Sequence, residues 1–125
     1  MTPLLVLAVA AGGLVGAPAR YLVDRATTDR FDAGVPFGTL LVNSSGAALF
    51  GVLSGLGLSH HLGPVPLALF GTGFCGAYTT FSTLTVEIVQ LLEEGEHVAA
   101  AVTVSVSLVA GLLAAGVGVA VGLAL

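Results

Sequence analysis

Long runs without a charged residue alternate along this chain with short polar separators. The charge-free stretches are Thr2 to Ala19, Ala33 to Leu58, Leu62 to Val86 and Val98 to Leu125. Each is near or above the roughly 20 residues a helix needs to cross the hydrocarbon of a bilayer. The separators are Arg20 to Asp32, the turn Ser59-His60-His61, and Glu87 to His97, where Glu93, Glu94 and Glu96 mark an exit into water. Strands are disfavoured, because period-two alternation is missing and the runs are rich in Ala, Leu and Gly. The pattern predicts an all-α membrane protein. It is read as one domain over residues 1–125, with four transmembrane helices at approximately 2–19, 33–58, 62–86 and 98–125. A cleaved signal peptide is the alternative for the first stretch, with Ala17-Pro18-Ala19 as the small-residue site. Against it, Met1-Thr2-Pro3 carries no side-chain cation, and Gly12 with Gly16 forms a helix-packing face that a disposable segment does not need.

Small residues recur at spacing four: Gly12 with Gly16, Gly51 with Gly55, Gly111 with Ala115, and Ala114 with Gly118 and Gly122. Such faces let helices approach backbone to backbone. Four helices of this kind have more packing surface than they can bury among themselves, so a dimer is expected.

Composition sharpens the class. Of 125 residues 56% are hydrophobic and 8% charged, against roughly 25% charged in an ordinary soluble domain, which excludes a water-soluble globule. Three arginines and no lysine face seven carboxylates, so a nucleic-acid partner, which needs clustered cations, is not expected. The single cysteine, Cys75, excludes an internal disulfide and a thiolate-rich metal site.

Two places hold polar residues where lipid would penalise them. Asn43, Ser44 and Ser45 sit inside the second stretch, where an amide must find a partner or water. Asn43 either bridges helices or presents N–H donors to an anion. In the third stretch and just past it, Gly71 to Glu87 packs three glycines and seven hydroxyls near mid-membrane. Glycine and β-branched threonine weaken a helix, and carbonyls freed by a break need a cation, water or another donor. The bland alternative is an intact helix whose hydroxyls bond back to carbonyls one turn earlier.

Three blocks in order carry a resemblance: GGLVGAPARY from Gly12 to Tyr21, FGTLLVNSSG from Phe37 to Gly46, and GFCGAYTTFSTLTVE from Gly73 to Glu87. They resemble the Gly-rich first helix ending in Arg-Tyr, the GTLxVNxxG segment and the GxxGGxTTFSTFSxE segment of the small fluoride channels called Fluc or CrcB. Ser107 and Gly111 add a weaker SxxxG pattern in the fourth helix. The resemblance implies a fluoride-selective channel in the cell membrane, not an enzyme, that passively exports fluoride and lowers its cytoplasmic level. It implies an antiparallel dimer with two fluoride paths along the subunit interface. A broken third helix and a central structural sodium ion complete the implied architecture. Asn43 would supply amide donors, Phe81 its positive ring edge, Thr83 and Ser107 rotatable hydroxyls, and Arg20, at the end of the first helix, a cationic approach to a mouth. Gly76 and Thr79 match the positions whose main-chain carbonyls hold the sodium ion, with the break expected around Gly76 to Thr79. Phe81 would otherwise read as lipid-facing or packed, and Arg20 as an interfacial anchor.

The chain departs from the pattern at Ala77, Thr85 and Leu84. Leu84 stands where a second phenylalanine is expected, and it has no quadrupole to offer an anion. A small four-helix multidrug or cation exporter is the competing reading. Such an exporter wants a carboxylate inside a helix, and the first, second and fourth stretches have none. A purely structural membrane subunit would explain the glycine faces but not the Gly- and Thr-rich segment. Arg20, Arg25 and Arg30 all fall in the first separator, a bias that pulls it toward the cytoplasm with both termini outside. The partner is therefore either a second copy or a related, oppositely oriented subunit.

Overall fold

The structure, a computed structural model, describes residues 2–28, 30 and 36–125. Among these residues it is all helical, with no strand. Helix α1 is Pro3–Thr28 and α2 is Phe37–Leu58; the helical run α3 covers residues 64–78, α4 is Ser82–Glu93, and α5 is His97–Ala124. Three of them, α1, α2 and α5, are long and apolar enough to cross a membrane. The third predicted stretch is delivered instead as α3 and α4, neither long enough alone. The first helix passes beyond Ala19 and carries Arg20, Asp24 and Arg25 within it, so Arg20 is not at a helix end as the charge pattern implied. Bonds one turn apart hold this extension: Arg25 Nη1 donates to the Tyr21 hydroxyl (2.8 Å) and Thr27 Oγ1 to the Val23 carbonyl (2.7 Å). The predicted start of the second helix, at 33, lies outside the described residues.

Two glycine seams set the packing. Along the first, a side chain at Gly12 would overlap the Leu69 carbonyl, at Gly16 the Phe74 carbonyl, and at Gly73 the Val9 carbonyl. Along the second, a side chain at Gly51 would overlap the Ala115 carbonyl, at Gly118 the Ala48 carbonyl and at Gly122 the Val52 carbonyl. Backbone touches backbone at each of these points, so only glycine fits. Gly51 meets Gly118 and Gly55 meets Gly122. Residue numbers rise together on both helices, so α2 and α5 run parallel. The pairs Gly13 with Ala77 and Arg20 with Thr79 show the same for α1 and α3. Parallel alternate helices are what successive crossings of a bilayer produce. Gly111 obeys the same spacing, but a side chain built there would meet open space.

The middle of α3, Leu67–Cys75, is π-helical between α-helical turns at Pro64–Pro66 and Gly76–Tyr78. Such wide turns are uncommon and recur at functional sites. The turns at the helix ends differ in cost. Gly95 (φ 81°) closes α4 with Glu96 N–H on the Leu91 carbonyl (2.8 Å). His60 (φ 63°) performs the same left-handed turn after α2, with His61 N–H on the Leu56 carbonyl (2.9 Å). Glycine takes that conformation freely and histidine does not.

Most large apolar side chains face outward. In the most apolar stretch of α5 only 6% of residues are buried, an arrangement suited to lipid or a second subunit and not to water.

Candidate functional site

The polar residues singled out above gather where the third stretch leaves the helical conformation. Gly76 is still helical (φ −63°, ψ −34°), whereas Thr79 is extended (φ −76°, ψ 158°), and the chain re-enters a helix at Ser82. The departure therefore lies at Thr79 to Phe81 and not at Gly76, and side chains account for that place. In a continuous helix Thr80 N–H would bond the Gly76 carbonyl. Here it donates to Asn43 Oδ1 (2.8 Å), while Asn43 Nδ2 donates to the Thr80 carbonyl (2.8 Å). Asn43, 37 residues away in the chain, holds both polar groups of one residue. Thr83 N–H, which would otherwise bond the Thr79 carbonyl, donates to Thr80 Oγ1 (3.2 Å), as at a helix N-cap. The Thr79 carbonyl accepts Arg20 Nη1 instead (3.2 Å). Thr79 N–H and Oγ1 both donate to the Cys75 carbonyl (2.9 Å each). The freed groups of Thr79, Thr80 and Thr83 are thus re-paired inside the chain, as the bilayer favours, while the Gly76 carbonyl loses its helical donor.

Two depressions flank Thr80. One, of about 380 Å³, is lined by Asn43, Gly76, Thr79, Thr80, Phe81 and Leu84. Phe81 is 81% exposed there, so its ring projects from the chain and does not pack in the core. Leu84 shares this wall, which places the departure from the family pattern beside Phe81. The other depression, of about 250 Å³, is lined by Arg20, Tyr21, Asp24, Thr39, Thr80 and Thr83 among others. Asn43 and Phe81 are therefore together in one, and Arg20 and Thr83 in the other. Ser107 lines neither; its Oγ is buried without a hydrogen-bond partner among the described residues.

Sequence reasoning missed three residues. Thr80 is the pivot on which Asn43 and Thr83 both act. Thr39 Oγ1 donates to Glu87 Oε1 (2.8 Å), tying α2 to α4, and Glu87 Oε2 is buried without a partner among the described residues. The signal was the position of Thr39 four residues before Asn43, on the same helix face.

The chemistry of this region suits ions. Asn43 spends one Nδ2 hydrogen on Thr80 and keeps the other, a donor on a wall shared with the exposed ring of Phe81. The Gly76 carbonyl, deprived of its donor one turn on, is a hard oxygen acceptor on the same wall. No group of three or more His, Cys, Asp or Glu side chains that could hold a metal occurs among the described residues.

Comparison with known proteins covers nearly the same ground. The family described as "CrcB-like protein, Camphor Resistance (CrcB)" matches residues 7–119. A protein of Leifsonia xyli subsp. xyli named "Fluoride-specific ion channel FluC 1" is 42% identical over 98% of this chain and 89% of its own. One of Streptomyces avermitilis with the same name is 43% identical over 90% of this chain and 91% of its own. "Fluoride-specific ion channel FluC" of Shewanella amazonensis is 44% identical over 83% of this chain and 84% of its own. The matched residues reach into every helix and take in the whole of both depressions, and with three membrane-length helices this is a multi-pass membrane protein that belongs to the CrcB-like family.

Proposed function

We infer that this chain is a fluoride-channel subunit, not an enzyme, and that it lets fluoride leave the cell passively and so lowers its cytoplasmic level. The names of its relatives support the reading over most of the chain. The observation that carries it is the wall formed by Asn43, Thr79, Thr80 and the outward ring of Phe81. Fluoride is small and tightly hydrated, so a membrane path must replace water with hydrogen-bond donors and weakly positive groups without trapping the ion. The unspent Nδ2 hydrogen of Asn43 and the ring edge of Phe81 meet that demand. On this reading the interruption at Thr79 to Phe81 is the functional break of the third helix. The Thr83 hydroxyl extends the line of donors, and Ser107, whose buried oxygen has no partner among the described residues, joins it once a second subunit closes the path.

The partner is another four-helix subunit, a second copy or a related chain, inserted the opposite way. A wall that combines an exposed phenylalanine with threonine and amide groups is poorly matched to lipid alone. It continues, through Gly76 and Thr79, into an apolar depression of about 460 Å³ along Gly46, Phe50, Gly71 and Cys75. An opposing subunit covers both and completes a narrow path. The Gly76 carbonyl, and the Thr79 carbonyl through the lone pair that Arg20 leaves, would hold a sodium ion, which would supply fixed positive charge between the subunits. The Gly76 oxygen fits best, because its helical donor is engaged elsewhere.

The deciding experiment is fluoride efflux from liposomes that contain only this polypeptide, with no ATP and no proton gradient. Efflux is expected, with chloride retained. Movement of fluoride only when ATP or a proton gradient is supplied would refute the channel reading. Efflux from the single polypeptide identifies a second copy as a sufficient partner.

A further inference from the structure

Arg20 is not where a steering cation would be most useful. It sits inside α1, which continues past it to Thr28, and not at a frayed helix end open to water. Its Nη1 is spent on the Thr79 carbonyl, 59 residues away, and no carboxylate pairs with it among the described residues. That carbonyl is the one polar group of Thr79 free to be held by another helix, because Thr79 N–H and Oγ1 are both committed to Cys75. Its helical donor, Thr83 N–H, is committed to Thr80.

We propose that Arg20 is a positioning residue. Its guanidinium fixes the peptide between Thr79 and Thr80 and thereby sets the direction in which Phe81 leaves the interrupted helix. The physical basis is a division of labour at one turn. Asn43 grips Thr80 from α2, and Arg20 grips Thr79 from α1. Two successive residues held from two different helices cannot rotate about the bonds between them, and the next residue is Phe81. A charged donor on a carbonyl in a water-poor setting is stronger than a neutral one, and the planar guanidinium holds direction as well as distance. Arg20 also lines the depression with Tyr21, Asp24, Thr39 and Thr83, so one side chain joins that depression to the wall that carries Phe81.

A steering cation and a positioning donor respond differently to salt. Raising ionic strength from about 0.01 M to about 1 M shortens the Debye length from about 30 Å to about 3 Å and abolishes steering, but leaves a hydrogen bond in place. The test therefore compares wild type, Arg20→Met, which keeps an apolar stem, and Arg20→Lys in fluoride efflux at both ionic strengths. Amide hydrogen exchange across residues 78–83 is measured alongside. Arg20→Met is expected to lose about tenfold or more of the flux at both ionic strengths and to exchange about tenfold faster. Arg20→Lys, a shorter point donor, is expected to fall between the two. A flux deficit in Arg20→Met that vanishes at about 1 M, or exchange at the wild-type rate, overturns the proposal. If Arg20→Met does not fold, Arg20→Lys decides: faster exchange than wild type supports positioning, and equal exchange overturns it. Only the flux arm rests on the fluoride-channel reading. Wild-type protein that moves no fluoride refutes that reading, while the exchange arm still tests Arg20.

Discussion

Replacing Asn43 with alanine separates the job the amide performs in the structure, holding Thr80, from the one proposed for it, facing an ion. The variant removes two hydrogen bonds of 2.8 Å and strands the N–H and C=O of Thr80, a residue only 9% exposed. Each buried group left unpaired costs about 1–3 kcal/mol, so the pair should cost about 2–6 kcal/mol. Hydrogen bonds within bilayers average about 0.6 kcal/mol in double-mutant cycles, because the alternative state finds other partners. That relief is limited here, since the nearest hydroxyl, that of Thr80 itself, is engaged with Thr83. Taking the low end, about 2 kcal/mol, opening of the Thr79–Thr80 turn should become about 30-fold more frequent, at 1.4 kcal/mol per tenfold.

The chain contains its own reporter of that opening. Cys75 is the single cysteine, is 2% exposed, and its carbonyl carries both Thr79 bonds. Labelling of Cys75 in membranes by a permeant maleimide should therefore run about 30-fold faster in Asn43→Ala. Asn43→Asp, which keeps an acceptor for Thr80 N–H but sets a carboxylate oxygen against the Thr80 carbonyl, should also label faster than wild type. Wild-type labelling rates in Asn43→Ala, with fluoride flux abolished, would refute the splint argument and leave the amide with the ion alone.

Phe81→Ile should abolish most fluoride flux without changing subunit association measured by cross-linking, because the ring projects from the chain; unchanged flux would remove Phe81 from the path. Gly51→Ala and Gly118→Ala should each cost roughly 1–3 kcal/mol by overpacking, read as lower thermal stability in detergent. Gly116→Ala, with open space around it, should be neutral or slightly stabilising in the same assay. Gly95→Ala should destabilise by about 1 kcal/mol and His60→Gly should stabilise by a similar amount, since the two occupy the same left-handed turn with opposite residue preferences; thermal shifts of opposite sign check it.

The sequence by itself determined the solvent of this protein and the number of its apolar stretches. Transfer of a side chain into lipid is a property of that side chain, and helix length follows from bilayer thickness. It also marked the glycine faces at Gly12 and Gly16 and at Gly51 and Gly55, because residues four apart share a helix face whatever lies opposite. Gly111 shows where that logic stops, since it has the same spacing but open space around a side chain built there. The weak third helix was legible too, as glycine and threonine lower helix propensity locally. Only the tertiary structure decided that helical geometry is lost at Thr79 and not at Gly76. The partners that replace the missing bonds, Asn43 and Arg20, come from 37 and 59 residues away. Propensity says how little a break costs, but a bilayer without water lets the backbone open only where such partners are brought within hydrogen-bond reach. That reach is set by the two glycine seams and not by any local run of residues.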